Sequence, residues 1–153
     1  MTYGILLWGS AADIQDIFVL QKRAIRAIYK LKPRDSLREL FKEIGILTVA
    51  SQYVYENIMY VYKNLNKFIK RSDCHNLNTR SRNRLDFPAF RLHKTAHSFM
   101  GKCIHIFNKI PDRVTKLPIH EFKLCIKKTL TKGGYYTVRE FIDDDNVWAL
   151  VPL

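Results

Sequence analysis

The chain has 153 residues, 47% of them hydrophobic, and 26 lysines and arginines against 14 acidic residues give it a net charge of +12. This composition excludes global disorder, and the length fits one domain or a piece of a larger protein. The charge and a pI of about 9.8 favour a nucleic acid as the partner over the other usual class, an acidic membrane surface. Three cysteines at irregular spacing do not form a disulfide framework, so we expect an intracellular location, nuclear or cytoplasmic.

The first nine residues are bulky and apolar, and no capping residue precedes them. The run from Tyr3 to Trp8 ends at Gly9-Ser10 and is far too short to span a bilayer. It predicts residues 1–9 as the end of a helix that continues from a missing upstream segment, and residues 10–153 as a single helical domain. A natural N-terminal helix docked on the core is the alternative.

Residues 13–32 predict an amphipathic helix, which Asp13 caps and Pro33 ends. Apolar residues recur at steps of three and four and so share one face. This face comprises Ile14, Ile17, Phe18, Ala24, Ile25 and Ile28, and Gln21 is its polar member. The far side carries Lys22, Arg23, Arg26 and Lys30. This basic side predicts contacts along a phosphate backbone, and a solvated face is the alternative.

Two further helices follow in the central part of the chain. Ser36 with Glu39 predicts a capping box for a short helix that stops at Gly45, and Thr48 predicts the cap of the longest helix, to about Lys70. The stripe of the long helix is Val54, Ile58, Val61, Leu65, Phe68 and Ile69. Its tyrosines, Tyr53, Tyr55, Tyr60 and Tyr62, widen the apolar surface. They predict packing on more than one neighbour, and a core role is favoured over stacking on bases.

Residues 72–87 are polar, and we expect a loop there without apolar anchoring. Its basic part consists of Asn78, Thr79, Arg80, Ser81, Arg82, Asn83 and Arg84. Arginine binds phosphate through two parallel hydrogen bonds, and the amides and hydroxyls add directional contacts. In an extended loop alternate side chains point the same way, so the three arginines are predicted to form one row.

The remainder of the chain predicts three helices. The first covers residues 92–108 and offers Phe99, Cys103, Ile106 and Phe107 to the core. The second begins at Pro118 and ends at Gly133-Gly134. The third covers residues 135–142, with Thr137 and Glu140 as its capping pair. Asp143, Asp144 and Asp145 are predicted to end the ordered part. Lys127, Lys128 and Lys132 form a third basic arm, after the basic side of the 13–32 helix and the basic part of the loop. The predicted fold is mainly α, a bundle of about five to seven helices with one long basic and polar loop.

Catalytic signatures are missing from the sequence. It contains no glycine-rich phosphate loop, no G-x-S-x-G elbow and no H-E-x-x-H motif. The Cys74-His75 and Cys103/His105 pairs are too far apart to predict zinc, and the three adjacent aspartates are read as a solvated acidic cap rather than a magnesium site. We therefore predict no catalytic residue, no metal and no cofactor.

Six segments in order carry a resemblance to a known family. They are YGILLWG at 3–9, LQKRAIRAIY at 20–29, LFKEIGILTVASQYVYENIMYVYKN at 40–64, HNLNTR at 75–80, MGKCIHIFNKIP at 100–111 and the helix ending GGYYTVREFI. The chain resembles the C-terminal region of reverse transcriptases from jockey-like non-LTR retrotransposons of arthropods. That region is the thumb and post-thumb part of an RNA-directed DNA polymerase, which would help to hold the template–primer duplex.

The resemblance implies that this chain is a non-catalytic fragment or a degenerate copy, whose partners are RNA or DNA and the upstream polymerase domain. The family's catalytic aspartates lie upstream, in a Tyr/Phe-x-Asp-Asp motif, and no aromatic residue precedes Asp143-Asp144 at that spacing. Leu77 replaces the aromatic residue that usually precedes Asn-Thr-Arg, which weakens an expectation of base stacking there. A helical protein-interaction module and a stand-alone enzyme are the rival hypotheses.

Overall fold

The computed structural model describes residues 3–11, 14–74, 79–87 and 99–149. These residues form nine α-helices, a short 3-10 helix (Leu65–Lys67) and a single antiparallel β-bridge between Lys70 and Leu85. The helices are α1 (Ile5–Trp8), α2 (Ile14–Tyr29), α3 (Arg38–Glu43), α4 (Val49–Lys63), α5 (Arg71–Cys74), α6 (Phe99–Phe107), α7 (Asp112–Thr115), α8 (Ile119–Gly133) and α9 (Val138–Asp143). The prediction of a mainly α bundle is confirmed, since six of these helices are longer than a single turn.

Helix α4 is the centre of the bundle, and α1, α2, α6, α8 and α9 all pack against it. Thr48 begins it as predicted, because its hydroxyl accepts a hydrogen bond from Ser51 N at 3.1 Å. The same hydroxyl donates to Tyr135 O, which joins the start of α4 to the segment between α8 and α9. Packing of this helix on more than one neighbour is therefore confirmed.

The tyrosines of α4 lie in or against the core, as the sequence favours. Tyr53 is fully buried. The ring of Tyr62 stacks on Phe122 with 4.1 Å between centroids, and its hydroxyl donates to Leu117 O at 2.7 Å. Tyr60 packs edge-on against Phe99 at 5.0 Å. These tyrosine rings therefore pack between helices of the core.

A second, smaller hydrophobic cluster joins α2 and α3 to the start of α4. Its buried members are Phe18, Ile25, Leu37, Phe41 and Val49. Tyr136, between α8 and α9, closes this cluster with its ring 4.8 Å from that of Phe18. The cluster therefore places the basic helix α2 beside α3 and beside the end of α8.

The predicted apolar face of α2 is wider than the face that the structure buries. Phe18, Gln21 and Ile25 are buried, but Ala24 and Ile28 are exposed. Gln21 sets this rotation, because its side chain donates to Leu47 O at 2.9 Å and accepts from Val49 N at 3.0 Å. The proposed cap Asp13 lies outside the described residues.

Two predicted helix boundaries are wrong. The capping box at Ser36 does not form: Leu37 is the residue before α3, without a side-chain cap, and it is buried in the small cluster. The long helix ends at Lys63 rather than Lys70, because Asn64 leaves helical geometry and donates from its side chain to Tyr60 O. Ile69 is consequently exposed and not part of the α4 stripe.

The three aspartates do not end the ordered part, which corrects another prediction. Val147 and Trp148 follow them and are buried in the main hydrophobic core, which is built around Val54, Ile58 and Val61 of α4. Asp144 contributes to this attachment, since it accepts a hydrogen bond from the Tyr135 hydroxyl at 2.6 Å. Thr137 and Glu140 do cap α9 as predicted, with the Thr137 hydroxyl 3.1 Å from Glu140 N. Residues 92–98 of the helix predicted over 92–108 lie outside the described residues.

The N-terminal helix is one turn long in the structure. It begins at Ile5, directly after Gly4, whose φ of 65° lies in the left-handed region. Ile5 is buried against the core, whereas Tyr3 and Leu7 are exposed. A continuation of this helix from an upstream segment stays a prediction. No helix among the described residues is both long and apolar enough to cross a membrane.

Candidate nucleic-acid interface

The basic side of α2 borders the small hydrophobic cluster. Lys22 Nζ lies 4.6 Å from the centroid of Phe18 and 5.8 Å from that of Tyr136. Arg26 donates to Asp35 O at 3.0 Å, which ties the helix to the turn before α3. Arg23 and Lys30 are exposed. The structure thus turns Lys22 and Arg26 toward α3 and leaves the other two predicted contacts in solvent.

Tyr136 links the cations of α2 to those of α3. The guanidinium carbon of Arg38 lies 4.5 Å from its ring centroid, on a ring that Lys22 also approaches. Such cation–ring contacts are attractive because the face of an aromatic ring is negative. Burial raises the pKa of the Tyr136 hydroxyl, and the charge of Arg38 opposes that rise. Arg38 also forms an ion pair with Glu140 at 3.1 Å.

Gly134 lets the same side of α3 approach the end of α8. Its φ of 57° is left-handed, and a Cβ at this position would lie 3.2 Å from Lys42 Cε and 3.6 Å from Arg38 Cγ. A residue with a side chain would be strained at this φ, and its Cβ would crowd the stem of Lys42 while making ordinary contact with the stem of Arg38. The glycine is therefore required where the stems of Arg38 and Lys42 cross the helix end.

An open groove of about 410 Å³ continues from Lys42 along the outer side of α8. Lys127, Lys128 and Lys132 line it together with Lys42, and Leu124 contributes an apolar patch. Lys127, Lys128 and Lys132 are exposed. The third predicted basic arm thus meets α3 in one groove.

These contacts join two of the three predicted arms into one surface, which we call the basic strip. It consists of Lys22, Arg26, Arg38, Lys42, Lys127, Lys128 and Lys132. Arg38 and Lys42 pair with Glu140 and Glu39, and the other five form no ion pair with a described carboxylate. Positive charge without matching acids is the electrostatic arrangement that attracts a polyanion.

The arginine loop lies elsewhere, and its predicted geometry is wrong. Thr79, Arg80, Arg82 and Arg84 are exposed, but two successive turns replace the extended row: Arg82 N donates to Thr79 O at 3.1 Å and Arg84 N to Ser81 O at 3.0 Å. Side chains along such turns do not alternate as in a strand. Asn78 lies outside the described residues.

The loop is anchored, contrary to expectation. Leu85 is buried, and the Asn108 side chain bonds both its N–H and its C=O, at 2.8 and 2.9 Å. The carbonyls of Arg82 and Arg84 accept from Ser72 N and Arg71 N at the start of α5, and residues 72–74 of this helix fall within the predicted loop. These bonds hold the loop arginines beside α5 and the end of α6, and no described contact joins them to the basic strip.

Sequence reasoning missed Arg38, Lys42 and Tyr136. The spacing of Arg38 and Lys42 by four residues in a short helix was the available signal, since it puts both on one face. Tyr136 offered no such signal. Its role depends on the packing of the segment between α8 and α9 on Phe18 of α2 and Phe41 of α3.

The aspartates and cysteines, which are the residue types that could bind a metal or act as a nucleophile, form structural contacts instead. The described residues contain no cluster of three or more histidine, cysteine or acidic side chains that could hold a metal ion. Asp145 lies 3.7 Å from Lys109 Nζ, and Asp144 bonds Tyr135. Burial raises the pKa of the Cys103 thiol to about 11, which keeps it protonated and unreactive at neutral pH.

Compared with protein-family models, with curated proteins and with solved structures, the chain matches none. The resemblance to retrotransposon polymerases therefore rests on the sequence segments alone.

Proposed function

We propose that this chain is a non-catalytic segment that holds a nucleic-acid duplex through phosphate, in the manner of the C-terminal region of a non-LTR retrotransposon RNA-directed DNA polymerase. The observation that carries the proposal is the basic strip. Three helices that are separate in sequence bring seven cations to one surface, and Tyr136 and Gly134 connect them.

A strip of this kind suits backbone contacts rather than base reading. Lysine binds phosphate as a mobile point charge, whereas reading a base edge requires a side chain held in fixed geometry. Five of the seven cations are lysines. We therefore expect similar affinity for duplexes of different sequence, and steep weakening by salt as condensed counterions return to the duplex.

The test compares two double variants that lose the same charge. Lys127→Ala with Lys128→Ala removes two cations of the strip. Lys63→Ala with Lys67→Ala removes two exposed lysines outside the strip, one at the end of α4 and one in the 3-10 helix that follows it. Duplex binding is measured by fluorescence anisotropy over a series of salt concentrations. We expect the strip variant to flatten the plot of log affinity against log salt by about two units and the control to leave it nearly unchanged.

Equal slopes for the two variants would contradict a specific role for the strip. The same preparations, supplied with a template–primer and nucleotides, should bind without extending the primer. Incorporation by this chain alone would contradict the non-catalytic part of the proposal and favour the enzyme hypothesis. The protein-interaction hypothesis is favoured instead if the chain binds no duplex at low salt, since apolar docking does not need counterion release.

A further inference from the structure

Helix α2 has a second apolar surface that nothing in the described structure covers. Leu20 is 57% exposed and Ile28 is 72% exposed, and Ala24 and Ala27 are also exposed. With 3.6 residues per turn these four positions fall within an arc of about 100°. We call this surface the apolar flank. It is a contiguous stripe over two turns, rather than scattered single residues.

The apolar flank and the basic strip lie on opposite sides of the same helix. The buried positions Phe18, Gln21 and Ile25 separate them around the helix axis. Lys22 and Arg26 lie on the side that faces α3 and Tyr136. A partner on the apolar flank therefore leaves the strip free, so this surface is not explained by phosphate binding.

We propose that the apolar flank binds the apolar flank of a second copy of this chain, with the two α2 helices antiparallel and Ala24 at the two-fold axis. Leu20 and Ile28 are each four residues from Ala24. An antiparallel pair centred there sets Leu20 of one copy against Ile28 of the other, and Ala24 against Ala24. The small alanine at the centre permits close approach, and the larger residues fill the space on either side.

The charges at the two ends of α2 fit the same arrangement. Asp16 lies in the first turn, and exposed Lys32 and Arg34 follow the C-terminal end. Antiparallel pairing brings the acid of each copy near the cations of the other and aligns the helix dipoles in opposite directions. The flank itself contains no charged residue, so an acidic partner would meet no counter-charge within it. A second copy is the occupant that matches the surface throughout.

One helix pair buries less area than a standard interface, so the dimer should be weak and concentration-dependent. The net charge of +12 on each copy opposes it. Added salt screens this repulsion, and therefore self-association should persist or strengthen with salt. Duplex binding changes in the opposite direction, so the failure of one proposal is distinguishable from the failure of the other.

The experiment is sedimentation equilibrium of the full chain, free of nucleic acid, from micromolar to millimolar concentration. Ala24→Glu and Ala24→Lys each place two like charges face to face at the two-fold axis, and both residues are good helix formers. Gln15→Glu is the matched control, because it adds one negative charge to an exposed position of α2 outside the flank. We expect each Ala24 variant to weaken self-association at least about tenfold and the control to retain it.

Mixing the two Ala24 variants makes the test specific for the two-fold axis. A glutamate then faces a lysine, and we expect the mixture to associate more strongly than either variant alone. Three results would overturn the proposal: a wild-type chain that stays monomeric at millimolar concentration, an Ala24→Glu variant that associates like wild type, or a mixture no stronger than its components.

Discussion

At the scale of single residues, Lys30 has an unusual backbone conformation. It follows the C-terminal end of α2 with a φ of 53°, the one positive value among the described residues other than glycine. Leu31 N donates to Arg26 O at 3.0 Å across this turn, which closes the helix end. The left-handed conformation costs a residue with a side chain roughly 1 kcal/mol, and the helix end imposes it on a lysine.

Lys30→Gly should therefore raise the free energy of unfolding by roughly 0.5 kcal/mol, because relief of strain exceeds the entropy that glycine gains in the unfolded chain. Urea unfolding measures the change. Lys32→Gly is the control, since it loses the same charge at an exposed position without a left-handed φ, and it should lower stability slightly. Equal destabilisation by both glycines would contradict the strained conformation.

At the scale of elements, the arginine loop has two separable parts. Its backbone is bound to α5 and α6 through the carbonyls of Arg82 and Arg84 and through Leu85, and its guanidiniums are exposed. Stability should depend on the anchors, and any binding of phosphate should depend on the arginine side chains.

Changing Arg80, Arg82 and Arg84 together to alanine should leave stability within roughly 0.5 kcal/mol per residue, because these side chains are exposed. If they contact phosphate, the triple variant binds every duplex sequence more weakly and the log–log salt slope flattens by about two to three units. Anisotropy titrations and thermal melts of the same protein give both quantities.

Asn108→Ala is the complementary variant, because it keeps every arginine and removes both hydrogen bonds to buried Leu85. We expect it to lower the free energy of unfolding by about 1–3 kcal/mol, because the N–H and C=O of buried Leu85 lose their hydrogen-bond partners. A triple arginine variant that melts early but binds normally would mean that the loop is structural.

At the scale of the whole molecule, the core depends on neutral tyrosines. Burial is the first cause that raises the pKa of Tyr53, Tyr55, Tyr135 and Tyr136, and the Asp144 carboxylate raises that of Tyr135 further. Their ordinary value is 10.0. Because the pKa is raised, the folded state keeps these protons at pH values above 10, where the unfolded state releases them.

Stability should therefore be insensitive to these groups below pH 10 and fall as the pH rises above it. Each retained proton contributes about 1.4 kcal/mol per pH unit in that range. Tyr135→Phe should reduce the alkaline slope by about one such proton, although it loses the bond to Asp144 at neutral pH. Urea unfolding at a series of pH values tests this, and a wild-type stability that is flat or rising above pH 10 would contradict it.

The sequence by itself determined the features that depend on near neighbours in the chain. The helical periodicities, the caps at Thr48 and Thr137 and the stop at Gly134 were predictable because each is satisfied within a few residues. The basic residues of α2, the loop and α8 were recognisable from charge alone. The expected duplex-holding function follows from that charge and from the family resemblance, and it stays a prediction.

Only the tertiary structure decided which faces and which arms come together. Gln21 bonds a residue 26 positions away and so rotates α2, which exposes Ala24 and Ile28. Burial of Leu37 replaced the cap expected at Ser36, and Asn108 anchored a loop that looked free. Tyr136 and Gly134 joined α2, α3 and α8 into one basic strip and left the loop arginines apart. These contacts link residues that are far apart in the chain. Local propensity does not predict them, because they form only when the whole core packs.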